Sequence, residues 1–147
     1  MGLLRTIAAG IGCVTLCIAC SDSGAAASSS STGFPSAALV SATSDSGTLS
    51  IEVRTGPSQP PARGTCEVEY RITDAASGQP VDGLSVDVVP WMVSMGHGSS
   101  GKPTVAAKGD GRYVASKVSL YMAGRWELRT TLSGARADQA APAIDVE

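Results

Sequence analysis

This chain is short of charge, histidine and aromatic residues. Only 16% of its 147 residues are charged, 11 Lys+Arg stand against 13 Asp+Glu, and the formal net charge is −2. No basic cluster interrupts that balance, so nucleic acid finds no electrostatic footprint to bind. One histidine, His97, excludes the multi-histidine sites of most zinc enzymes. Aromatics amount to 4%: Phe34, Tyr70, Tyr113, Tyr121, Trp91 and Trp126. A long hydrophobic run is missing as well. Thr6–Ala19 is apolar or small throughout but covers only 14 residues, against the ~20 needed to span a hydrocarbon core. A chain of this length accommodates one domain, and here a small one.

Met1–Arg5 carries one positive charge and precedes the Thr6–Ala19 run, the pattern of a signal peptide. The run ends Leu16-Cys17-Ile18-Ala19-Cys20. This resembles the bacterial lipobox, in which a small residue precedes a cysteine that is lipidated and becomes the new N-terminus. Ala19 and Cys20 match, whereas Cys17 stands where the motif prefers leucine. The resemblance implies a lipoprotein signal peptide at 1–19 and a palmitate-bearing Cys20 that anchors the protein in the bacterial cell envelope, facing the periplasm. Asp22 follows Cys20 at the second position rather than the first, which points to the outer membrane. An ordinary secretory peptide cut near Ala19 is the other reading. With cleavage, Cys13 and Cys17 are lost and Cys20 is acylated, so Cys66 is the one free thiol and no disulfide framework forms.

Residues 20–47 read as the lipidated cysteine and a flexible tether. Ser21–Gly47 holds 10 Ser, 6 Ala and 3 Gly in 27 residues, too little apolar surface to offset its ordering entropy. As a coil it reaches about 30 Å.

From Thr48 to Glu147 the pattern has period two. Leu49, Ile51 and Val53 alternate with polar residues, as do Cys66, Val68, Tyr70 and Ile72, then Leu84, Val86 and Val88. Val118 and Leu120 face inward in the run Val114–Tyr121, and Trp126, Leu128, Thr130 and Leu132 alternate with Arg125, Glu127, Arg129 and Thr131. Ile144–Val146 forms a last strand, and Thr104–Ala107 a short one. Alternation predicts strands with one buried and one wet face. Turn signals separate them, Asp110-Gly111 being the clearest hairpin. No helical period follows Gly47. The fold class is therefore all-β, a small antiparallel immunoglobulin-like β-sandwich of six to seven strands. Cys66 falls in phase with the core, and Glu67, Glu69, Arg71, Arg125 and Arg129 read as a solvated sheet face.

One segment breaks the alternation. Val89-Pro90-Trp91-Met92-Val93-Ser94-Met95-Gly96-His97-Gly98 gathers two of the four methionines, one of two tryptophans and the single histidine. Pro90 is expected to end the preceding strand's hydrogen bonding, leaving Met92, Met95 and His97 on an inter-strand loop. Thioether and imidazole are soft to borderline donors suited to Cu(I), whereas no thiolate or carboxylate is present for zinc or hard cations. Trp91 stacks over a bound cation or packs the loop.

Taken with Gly111-Arg112-Tyr113 and Met122-Ala123-Gly124-Arg125-Trp126-Glu127-Leu128, that segment resembles the YtkA-like domain, related to FixH-like proteins. The resemblance covers about Thr48 to Leu132. It implies a small, envelope-located, sandwich-like domain, some of whose relatives are encoded beside copper-handling or cytochrome-oxidase assembly proteins, the partners it suggests here. It also implies Met92, Met95 and His97 as metal ligands, with Met122 as a fourth from a neighbouring strand end. Read from parity alone, Met122 is in phase with Val118 and Leu120 and belongs to the core. Trp91 departs from the family, which has methionine or a small apolar residue beside the proline.

Gly96–Lys102 matches the first seven positions of a phosphate-binding loop, but Pro103 replaces the hydroxyl residue and no helix pattern follows, so nucleotide is not expected. Ser94, Ser99 and Ser100 lie in no nucleophile-elbow context, and the chain is not expected to be an enzyme. Two functions remain in view: Cu(I) binding for delivery or sequestration, and an interaction module whose Trp/Met loop contacts a membrane protein complex. A passive domain whose loop merely closes the sandwich is the third.

Overall fold

The structure, a computed structural model, describes residues 33–147. The signal peptide at 1–19 and Cys20 lie outside the described residues. Ten strands follow in order: β1 Val40–Thr43, β2 Leu49–Gly56, β3 Gly64–Asp74, β4 Leu84–Met92, β5 His97–Gly98, β6 Thr104–Gly109, β7 Arg112–Leu120, β8 Gly124–Gly134, β9 Asp138–Ala140 and β10 Ala143–Val146. All pairings are antiparallel. One sheet runs β1-β2-β3-β7-β6 and the other β10-β8-β4-β5, with β9 also on β8. The result is the expected β-sandwich.

Period-two patterning positions the core. Leu49, Ile51 and Val53 from β2, Val68, Tyr70 and Ile72 from β3, and Val118 and Leu120 from β7 are fully buried. They pack against Val88 from β4 and Leu128 and Leu132 from β8 in one cluster. Cys66 joins them, and burial, then the charge of Glu67, pushes its thiol up to about 11. Asp110-Gly111 forms the two-residue β6–β7 turn, both residues at positive φ as a type I′ turn requires. A Cβ on Gly111 would collide with the Ile72 carbonyl oxygen.

Three sequence expectations need correction. Val40–Thr43 was expected within the tether, yet it forms β1 on the edge of β2, and the Leu39 N–H donates to the Val53 carbonyl at 2.8 Å. Leu39 and Val40 pack against the core, so the ordered region reaches N-terminal of Thr48. Two apolar residues inside a serine-rich stretch show no period, and only the waiting edge of β2 makes them a strand.

Glu69, expected on a solvated face, is only 3% exposed. Residues 33–39 cross the outer face of the first sheet: the Ser36 carbonyl accepts from Arg54 Nε at 3.3 Å, and the backbone and ring of Gly33-Phe34 close on Gly56. Arg54 and Glu69 are buried there together.

Pro90, expected to end hydrogen bonding, sits inside β4, which continues to Met92 in register with Leu128 to Trp126 of β8. The N–H and C=O of one strand residue point the same way. The Pro90 carbonyl accepts from the Ser99 N–H on the β5 side, so the missing N–H faces that edge, where the ladder needs no donor.

Candidate functional site

Met92 closes β4 and His97 opens β5, joined by the four-residue hairpin loop 93–96. The Met92 carbonyl accepts from the N–H groups of Met95 at 3.3 Å and Gly96 at 3.0 Å, and Gly96 takes φ +66°. Thus glycine, where a side chain would strain the backbone, returns the chain to place His97 directly opposite Met92. Met92 is also opposite Trp126 of β8, which is opposite Ile144 of β10. Directly opposed residues share a face, so His97, Met92, Trp126 and Ile144 form one row on the inner face at one end of the sandwich.

Along that row exposure rises sharply. Trp126 and Met92 are 2% and 4% exposed, whereas His97, on a two-residue edge strand, is open to solvent. His97, Ser119, Tyr121, Met122 and Trp126 line a groove of about 300 Å³. Trp126 Nε1 donates to the Met122 carbonyl at 2.9 Å, which ties the β7–β8 turn to the tryptophan and fixes the backbone of Met122 beside the groove. The Tyr121 hydroxyl is hydrogen-bonded to that of Thr65 at 3.1 Å.

His97 Nδ1 lies 3.0 Å from the Gly98 carbonyl oxygen. A carbonyl only accepts, so the neutral ring carries its proton on Nδ1 and leaves Nε2 as a free lone pair. Backbone fixation of one nitrogen is how proteins orient a metal-binding imidazole. Among the described residues, no three His, Cys, Asp or Glu side chains gather as a metal cluster.

The predicted site residues divide. His97 and Met122 share the groove, and Met92 adjoins His97 across the strands. Met122 is 40% exposed, not core: β7 ends at Leu120, and the turn that follows breaks the parity from which burial was read. Met95 is 54% exposed at the hairpin tip and does not line the groove. Trp91 is no cap on this site. It points to the opposite sheet face from Met92, where the Arg129 guanidinium sits 4.2 Å from its ring centroid and Arg129 Nε bonds Glu127 at 3.2 Å. The cation over Trp91 is an arginine. Ser119, Tyr121 and Trp126 were not foreseen as lining: the pairing of β8 with β4 brings Trp126 beside Met92, while Ser119 comes from β7 of the facing sheet and Tyr121 from the turn after it.

The YtkA-like family model matches residues 43–131, which is more than half of the chain. The chain belongs to the YtkA-like family. A search of curated proteins finds no significant match. The matched span of this YtkA-like domain runs from the end of β1 into β8, and so contains the β4–β5 hairpin, the β7–β8 turn and Trp126.

Proposed function

We propose that this protein is a lipid-anchored envelope protein that binds Cu(I) reversibly at the open end of its YtkA-like sandwich, for delivery or sequestration. The observation that carries the reading is His97, its Nδ1 tied to the Gly98 carbonyl and its Nε2 free, on a groove that Met122 shares and in register with Met92. An imidazole nitrogen with thioethers is a donor set that favours a soft monovalent ion. His97 supplies the nitrogen, and Met92 and Met122 flank it with sulfur. Met95, exposed at the hairpin tip, is the thioether placed to meet an arriving ion or hand one on. Bound there, the ion supplies no reaction of its own; the residues hold it and release it.

Cys20 provides the anchor in this reading, and twelve residues separate it from Gly33, where the described residues begin. The partners are copper-handling or oxidase-assembly proteins of the same membrane.

The test is a chelator-competition titration of the full chain with Cu(I), beside His97→Ala, Met122→Ala, Met95→Ala and Met92→Leu. One equivalent bound, lost with His97→Ala, weakened at least about tenfold with Met122→Ala and with Met92→Leu, and little changed with Met95→Ala, supports the site. Absence of competition, or affinity indifferent to His97, overturns it.

A second reading has its own observation. Val93, Met95, Tyr121 and Met122 are all exposed at this end, and such residues suit an interface with a membrane protein complex. His97→Ala then leaves partner binding unchanged, and Met95→Asp with Tyr121→Asp removes it.

A further inference from the structure

The outer face of the first sheet holds a second concavity, of about 410 Å³, bordered by Phe34, Glu67, Glu69, Lys108, Arg112 and Val114. Its charge is unevenly met. Arg54 is paired with two carboxylates: Nη2 bonds Glu52 Oε2 at 2.8 Å, and Nη1 stands 3.8 Å from Glu69 Oε1. Glu69 Oε2 is buried with no hydrogen-bond partner. A buried carboxylate oxygen left without a donor is costly, and native structures rarely leave one unmet. Across the groove, Lys108 and Arg112 have no carboxylate within ion-pair distance among the described residues. Glu67 Oε1 accepts only the Ser116 hydroxyl, at 3.1 Å, so two carboxylates with one oxygen wholly unmet share the groove with two cations that have no anion, over the apolar floor of Val114 and with the Phe34 ring at the rim.

We propose that this groove binds a short zwitterion of dipeptide length. The ligand's ammonium lies against Glu67 and Glu69, its anionic end against Lys108 and Arg112, and its apolar middle on Val114 beneath Phe34. Lys108 is on β6, two strand spacings from β3 or about 10 Å between backbones, and Arg112 is on β7, one spacing from β3, so the two cations lie at the distances a dipeptide's anionic end can reach from an ammonium held on β3. This site is on the opposite side of the first sheet from the core and does not depend on copper.

The experiment is an amide-NMR titration of the full chain with alanylalanine, beside N-acetyl-alanylalanine, which lacks the ammonium, and alanylalanine amide, which lacks the carboxylate. Saturable shifts on β3, β6 and β7 with the zwitterion, at least about tenfold weaker with either blocked form, are expected. Glu69→Gln and, on the exposed wall where folding is not at stake, Lys108→Ala should each weaken binding by a similar factor. Lack of saturable shifts with alanylalanine overturns the proposal. So does binding that both variants leave unchanged, or that the blocked forms match.

Discussion

At the scale of single residues, the methionines of the Met-x-x-Met-x-His segment have different jobs. Met92 is buried against Trp126 and Gly124, so Met92→Ala should cost about 2–4 kcal/mol of unfolding free energy. Met95→Ala, at the exposed tip, should stay within about 0.5 kcal/mol. Denaturant melts of the metal-free protein separate the two, and equal costs would contradict the placement. Sequence spacing puts the three candidate ligands on one segment and cannot show that a strand carries Met92 while a turn carries Met95. Cys66 makes a second residue-scale prediction. Its buried thiol, raised to about 11, should resist alkylation at pH 8 in the folded protein and react once unfolded. Rapid alkylation in the absence of denaturant would contradict its burial.

At the scale of elements, strong alternation was legible and weak alternation was not. β2, β3, β4, β7 and β8 each show period two over several residues, and each forms. β1 does not announce itself, because Val40 and Ala42 gain burial from β2, through pairing with Val53 and Ile51 further along the chain, which is invisible to a local pattern. Glu69 was misread for the same reason: alternation shows that it faces away from the core but not that residues 33–39 cover that face. Pro90 does not end its strand, because its missing N–H faces the short β5 side and leaves the ladder to β8 intact. A chain beginning at Thr48 should therefore be less stable than one beginning at Gly33 by roughly 2–4 kcal/mol, through loss of the Leu39 and Val40 packing. Identical melts for the two would place β1 outside the cooperative unit.

At the scale of the whole molecule, two carboxylates tie loops to the sandwich. Asp74 accepts the Ser77 backbone N–H at 2.9 Å, the Arg136 guanidinium at 2.7 Å and the Ser77 hydroxyl at 3.0 Å, which together hold its carboxyl well below the usual range. Asp138 is held low chiefly by the Ser46 hydroxyl, joining the β1–β2 turn to β9. A carboxyl depressed in the folded state stabilises it above the unfolded-state value of about 3.9, and the stabilisation is lost as pH falls below that value. Thermal midpoints should hold steady from pH 7 to 5 and fall below pH 4. Asp138→Asn should lower the midpoint at pH 7 and shallow the acid decline; an unchanged acid decline would contradict the role given to this pair.

The same whole-molecule view explains the functional site. The segment was legible as chemistry, whereas the groove is made by tertiary pairing: β5 on β4, β4 on β8, and the Trp126 bond to the Met122 carbonyl. The measurement that tests it most directly is nitrogen NMR of the His97 imidazole in the full chain, before and after one equivalent of Cu(I). The prediction is that Nδ1 remains protonated on the Gly98 carbonyl throughout while the Nε2 resonance shifts on addition. An imidazole unmoved by Cu(I), or one whose Nδ1 loses its proton to the ion, would contradict the account.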